Sequence, residues 1–201
     1  MPRPGPQKSP TSERILLSAL ELFSSRGYEA TSVREICEAA EITKPTLYHF
    51  YGSKEGVYRA LVDGALADFR SDTVRVLQGP GGAVDHLKAI ARSYFENARG
   101  RRDLLRFIFG LIHNPPRSAP ATDFPKFYDE IVSTMAGDIE AGVASGELGP
   151  GPVDLRMLIF MGALSEAVAG YLVCGRPEPT DALAEALVDT IVAGWNRGAR
   201  P

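Results

Sequence analysis

The polar residues whose types and spacing could do chemistry lie between positions 31 and 54 and include Thr31, Ser32, Arg34, Lys44, Pro45, Thr46, Tyr48, His49 and Lys54. They do not match the arrangements that support acid–base or nucleophilic chemistry. The three histidines, His49, His86 and His113, stand in separate segments with no Glu or Cys at ligand spacing, so no metal site is expected. Neither a glycine-rich phosphate loop behind a strand nor a Gly-x-Ser-x-Gly elbow occurs. No catalytic residue and no cofactor is therefore expected, and the chain does not read as an enzyme.

What these side chains can do is recognise. Lys44, Pro45, Thr46 and His49 would lie at the start and on the outer face of one short helix, with donors and acceptors suited to base edges, while the Arg34 guanidinium suits a bidentate pair with O6 and N7 of guanine. The phenol of Tyr48, the ammonium of Lys54 and the helix starts at Thr31 and Ser32 suit phosphate oxygens, because the first N–H groups of a helix are unpaired and favour anions. Taken singly, Lys44 or Thr46 would more often belong to a solvated face, Tyr48 and Phe50 to a core, and Leu47 is a core residue. The weight rests on the constellation.

These residues need short helices to position them, and the pattern supplies them. Ile15, Leu16, Ala19, Leu20 and Phe23 recur at helical spacing before Gly27, which predicts a helix over 12–26. Ser32 and Glu35 match a capping box, and Val33, Ile36, Ala39 and Ala40 form the inward stripe of a second helix ending near Ala40. Thr43 is the expected cap of a third, ending by Tyr51-Gly52, in which Pro45 is tolerated in the first turn. Ser53 is expected to cap a long fourth helix to about Leu77, before Gly79-Pro-Gly-Gly breaks the chain. Further helices are predicted at about 83–100, 102–113, 122–145, 152–174 and 180–197, with no competing strand pattern.

Two short helices around a tight turn, packed on a third, have the shape of a helix-turn-helix. Three runs carry a specific likeness: Ile15-Leu-Leu-Ser-Ala-Leu-Glu-Leu-Phe, Gly27-Tyr-Glu-Ala-Thr-Ser-Val-Arg-Glu-Ile, and Ile42-Thr-Lys-Pro-Thr-Leu-Tyr-His-Phe-Tyr-Gly-Ser-Lys-Glu. Across residues 12–60, about a quarter of the chain, the sequence resembles the TetR family of bacterial transcriptional regulators. That resemblance implies an all-α fold of about nine helices. A helix-turn-helix DNA-binding domain would span 12–55, behind a flexible basic arm at 1–11. The long fourth helix would join it to a helical ligand-sensing and dimerisation domain at 56–201. One position departs from the family pattern: Phe50-Tyr51 stands where His or Tyr precedes a terminal Phe, so the phosphate contact expected at 50 would pass to Tyr51. The last two helices hold Gly162, Ala163, Ala167 and Gly170, then Ala182, Ala186, Ile191 and Trp195. In the family such helices form a dimer interface, although the residues alone would equally permit a monomer core.

The remaining composition agrees with this reading. Among 201 residues, 22 basic and 25 acidic give a net charge of -3, but residues 1–54 hold seven basic against six acidic, and the remainder 15 against 19. Two cysteines, Cys37 and Cys174, cannot make a disulfide framework and suit a reducing, cytoplasmic setting. The proline-rich start carries Arg3 and Lys8 without the apolar run of a secretory signal. The apolar stretch 155–174 is interrupted by Arg156 and Glu166, which suits a buried or interface helix better than a membrane span. The second half supplies aromatic surface for a small, largely apolar effector, with Phe107, His113, Phe127 and Phe160 as expected pocket residues. The expected function is that of a homodimeric, ligand-released repressor on a palindromic operator. The alternatives are an architectural helix-turn-helix protein binding DNA by charge, or a helical small-molecule binder that ignores DNA.

Overall fold

The computed structural model describes residues 9–113 and 119–197, so Arg3 and Lys8 of the expected arm lie outside the described residues. Among the described residues the fold is all helical, in the order α1 Pro10–Arg26, α2 Val33–Ala39, α3 Lys44–Tyr51, α4 Lys54–Leu77, α5 Ala83–Gly100, α6 Arg102–His113, α7 Phe124–Ala144, α8 Val153–Cys174 and α9 Asp181–Arg197. Each lies within two residues of its expected bounds. The starts follow from local chemistry. Ser9 and Ser12 close a capping box around Pro10 and Thr11, so α1 begins two residues earlier than expected and takes the end of the arm with it. Ser32 and Glu35 form the expected box at α2, and the Ser53 hydroxyl accepts the Gly56 N–H at 3.0 Å where α4 begins.

Thr43 behaves differently from the expectation. It occupies the N-cap of α3 in extended backbone but makes no capping hydrogen bond; its hydroxyl instead lies 2.9 Å from that of Thr46. Pro45, the second helical residue, offers no N–H for it to accept. The cap of α5 comes from far along the chain: Glu147 accepts the Ala83 and Val84 N–H groups at 2.8 and 2.9 Å.

By its contacts the chain divides into two compact units, Met1–Ala67 with Asp103–Thr122, and Asp68–Arg102 with Asp123–Pro201. The division thus falls inside α4, beyond the expected boundary at residue 55, and α6 returns to the first unit. In that unit Ile15, Ala19 and Phe23 of α1, Ile36 of α2, Leu47 of α3 and Val57, Tyr58 and Val62 of α4 are buried together. Phe107 of α6 completes the core, stacked 6.1 Å from Phe23 and edge-on to Tyr58 at 5.3 Å. Tyr51 at the end of α3 donates its hydroxyl to the Ser12 carbonyl of α1 at 2.9 Å. Gly56 lets α4 start against the Tyr51 carbonyl, where any Cβ would collide.

In the second unit α5 packs against α7, α8 and α9. Phe95, Ile139, Phe160, Leu164 and Val188 are fully buried there. Lys88–Asp189, Arg92–Glu185 and Arg99–Asp181 align α5 with α9 from the outside. Such surface pairs contribute about 0.2–1 kcal/mol each, against about 1.5–3 kcal/mol for one buried Leu or Phe, so apolar packing decides the arrangement. By length and composition α8 is apolar enough to cross a membrane. It divides instead into a buried stripe and an outward row in which Leu155, Leu158, Ile159 and Val173 are exposed.

His86 of α5, 7% exposed, stands 2.8 Å from Asp138 of α7 through Nδ1 and 3.3 Å from the Gly79 carbonyl through Nε2. Both partners are acceptors, which an imidazolium satisfies and a neutral ring cannot. Burial is the largest influence and opposes the charge, but the Asp138 hydrogen bond and charge, the Gly79 carbonyl and Asp85 outweigh it and raise the pKa. A raised folded pKa contributes stability that is complete below the ordinary value of 6.5 and is lost as pH rises through the folded value. Urea unfolding of the wild type and His86→Gln from pH 5.5 to about 9 is therefore expected to show a wild-type advantage that shrinks upward; an advantage constant with pH would remove the imidazolium from the account. Tyr51→Phe, which deletes only the bond to Ser12, is expected to cost about 1 kcal/mol in the same measurement.

Candidate nucleic-acid interface

The turn between α2 and α3 is built by backbone geometry. Glu41 adopts a left-handed φ of 51°, a conformation usually left to glycine, and the Ile42 N–H bonds to the Cys37 carbonyl at 3.0 Å to close α2. With Leu47 fully buried beneath it, α3 turns Lys44, Pro45, Tyr48 and His49 outward, all exposed, and Thr46 half-buried. Arg34 on α2 is also exposed, with its Nε 3.6 Å from Glu38 one turn on. An exposed i,i+4 pair of this kind contributes about 0.3–0.5 kcal/mol, so Arg34 is released from it at small cost. The expected base-reading residues are thus exposed or half-exposed, and carry cationic, hydroxyl and imidazole groups.

The expected phosphate-binding side chains divide. Tyr48 is 46% exposed, and its hydroxyl has no hydrogen-bond partner among the described residues. Ser32 is exposed, but its hydroxyl and N–H are both engaged by Glu35 at 2.7 and 2.8 Å. The Ser32 hydroxyl bond, then its N–H, with Arg26 and Arg34 beyond, holds the Glu35 carboxyl below its usual range. What α2 still offers an anion is the backbone of its first turn.

The side chains of Thr31, Tyr51 and Lys54 turn inward, contrary to the phosphate roles expected of them. Thr31 is 2% exposed and donates to the Gly27 carbonyl at 2.9 Å. Tyr51 is the strap to Ser12, and burial raises its phenol pKa. The Lys54 ammonium donates to the Tyr28 and Thr31 carbonyls at 2.8 and 2.9 Å and lies 4.1 Å above the centre of the Tyr28 ring. Each of these polar tips thereby adds a donor to a part-buried backbone carbonyl. Tyr28 carried a signal, as an aromatic just after the helix-ending Gly27, but a pairing between residues 28 and 54 has no trace in local spacing.

The expected effector residues fall in both units. Phe107 belongs to the core of the first unit. Phe160 is fully buried in the second, and Phe127 packs edge-on against Phe69 at 5.9 Å; the side chain of His113 lies outside the described residues. A small cleft in the second unit runs instead between α4 and α5, lined by Phe69, Asp72, Thr73, Val76, Ile90, Ser93, Tyr94 and Asn97, with room for about one water molecule. Ser93 and Asn97 beside Ile90 and Tyr94 were the legible signal, being polar residues one turn apart next to an inward stripe.

Residues 15–61, spanning α1 to the first turns of α4, match the model of the bacterial regulatory proteins, tetR family. The chain is 30% identical over 149 residues, 72% of each chain, to the HTH-type transcriptional regulator UidR of Escherichia coli K12. It is 47% identical over 51 residues, 25% of this chain and 24% of the other, to the HTH-type transcriptional repressor ComR of the same organism. Among solved structures, the transcriptional regulator FadR from Bacillus subtilis in complex with stearoyl-CoA superposes with a TM-score of 0.72 at 19% identity, covering 90% of this chain and 98% of that one. An outward-facing α3 held on a buried Leu47, the match over α1 to α4 and the relationship to UidR across most of both chains lead to one conclusion: the protein belongs to the TetR family of helix-turn-helix transcriptional regulators.

Proposed function

We propose that the protein is a cytoplasmic, ligand-released repressor that binds a palindromic DNA operator as a homodimer. The observation that carries this reading is the surface of α3, where Lys44, Pro45 and His49 face solvent and Thr46 is half-buried around a buried Leu47, with Arg34 exposed on α2. Arg34, Lys44, Thr46 and His49 read base edges, and Pro45 supplies apolar contact. Tyr48 and the first turn of α2 at Ser32 take phosphates and set register. Two such heads on one face of the duplex sit about 34 Å apart, in successive major grooves, which makes the operator two-fold symmetric.

The second copy is supported by the outward row of α8, where Leu155, Leu158, Ile159 and Val173 are 51, 64, 42 and 84% exposed. An apolar row of this length along one helix marks an interface rather than a solvated face. α4 runs unbroken from Lys54 to Leu77, within the first unit to Ala67 and the second from Asp68. It is therefore the covalent route by which an effector held in the second unit reaches the reading head. FadR from Bacillus subtilis is in complex with stearoyl-CoA, and by analogy the effector of this chain is a small, largely apolar molecule. An effector that prefers the released state about a hundredfold supplies about 2.7 kcal/mol of coupling.

Selection on randomised duplex DNA at about 150 mM salt tests the DNA reading, with an Arg34→Ala/Lys44→Ala/Thr46→Ala variant alongside. The wild type is expected to enrich a two-fold symmetric site and the variant is not, each lost bidentate contact costing about 1–3 kcal/mol. Equal retention of all sequences by both proteins would replace this reading with a charge-driven binder. Leu158→Glu is expected to convert a dimer to a monomer in sedimentation velocity, and an unchanged mass would move the interface off α8.

A further inference from the structure

We propose that Lys54 is a positioning residue for DNA recognition: its ammonium clamps the carbonyls that lead into α2 and so sets where α2 begins relative to α4. This rests on the DNA-binding reading above. The Nζ donates to Tyr28 at 2.8 Å and Thr31 at 2.9 Å, 26 and 23 residues back along the chain, with the Tyr28 ring beneath it at 4.1 Å. The Thr31 carbonyl immediately precedes Ser32, the N-cap of α2, and Arg34 follows two residues later. Thr31 itself is buried and spends its hydroxyl on Gly27, so the turn is held from both ends.

Seven residues are too few for α2 to hold its direction alone, and its orientation comes from what pins its ends. The clamp pins the first. Lys54 is also the first residue of α4, where the helix macrodipole opposes a cation; two carbonyls and an aromatic face compensate for that placement. Burial acts in the same sense, drawing the ammonium pKa down even as the charge of Glu29 raises it. The consequence is mechanical: a shift of the start of α4 carries the entry of α2 with it, so the reading surfaces of α2 and α3 move as one body.

A phosphate ligand and a clamp differ in salt dependence. Each phosphate contact adds about 0.9 to the slope of log K against log salt, and an internal clamp adds nothing. Lys54→Met keeps the stem and removes the donors. On the selected operator it is expected to bind about tenfold more weakly with an unchanged slope, the size of one lost charged hydrogen bond. Backbone hydrogen exchange over residues 31–36, measured without DNA, is expected to quicken. A slope flatter by about 0.9 with unchanged exchange would overturn the clamp and restore a phosphate contact. Should Lys54→Met fail to fold by circular dichroism, Lys54→Gln, which keeps a short amide donor, decides by the same slope. A wild type that selects no site would remove the DNA reading itself, and this role with it, whatever the variants do.

Discussion

Helices of seven and eight residues do not hold their shape in water, because a costly nucleus is followed by too few propagating bonds. The reading surface of this protein consists of two such helices, so everything it presents depends on what pins α2 and α3 from behind. Leu47 and Ile36, both fully buried, provide the apolar anchors. The cluster of Phe23, Tyr58 and Phe107 provides the floor they rest on, its ring centroids within about 5 to 6 Å. That Phe107 comes from α6 means the first unit is completed by a segment that follows α5 in the chain. The division of the chain by contacts therefore does not follow the order of the sequence.

Polar side chains in the head face a competition between internal backbone groups and solvent. The Ser12, Gly27, Tyr28 and Thr31 carbonyls lie near the joints between helices, and Tyr51, Thr31 and Lys54 satisfy them. Bonds to these carbonyls, about 1 kcal/mol for a hydroxyl and about 1.5–3 kcal/mol for an ammonium, offset the cost of drawing the polar tip partly out of water. The inward solution therefore wins wherever a polar tip can reach a joint. Lys44, Tyr48 and His49 stay outward because α3 has its inward face filled by Leu47, and Arg34 because its nearest partner is only a surface Glu38. The outward set is what remains after the fold has taken its share.

The second unit follows a simpler rule. α5 packs against α7, α8 and α9 and buries Leu87, Ile90, Ala91, Phe95 and Ala98. The cleft between α4 and α5 is small and carries Asp72, Ser93 and Asn97 at its rim.

Helical period, capping boxes and glycine breaks are local properties, each set within a few residues, and they make the helices of the described residues, their bounds and the outward face of α3 legible in the sequence. The family resemblance over residues 12–60 was equally legible, since it joins apolar spacing to turn chemistry along a continuous run. What local spacing could not contain was any pairing across tens of residues. Tyr51 with Ser12, Lys54 with Tyr28 and Thr31, Glu147 with the start of α5, and Phe107 with Phe23 bring together groups whose distance in the chain says nothing of their distance in space. The side chains expected to hold phosphate were read by their chemistry alone, which suits a phosphate and a carbonyl oxygen equally well. Tertiary packing places a carbonyl oxygen within reach of Thr31, Tyr51 and Lys54, because only the assembled helices determine which internal oxygen lies beside each of them.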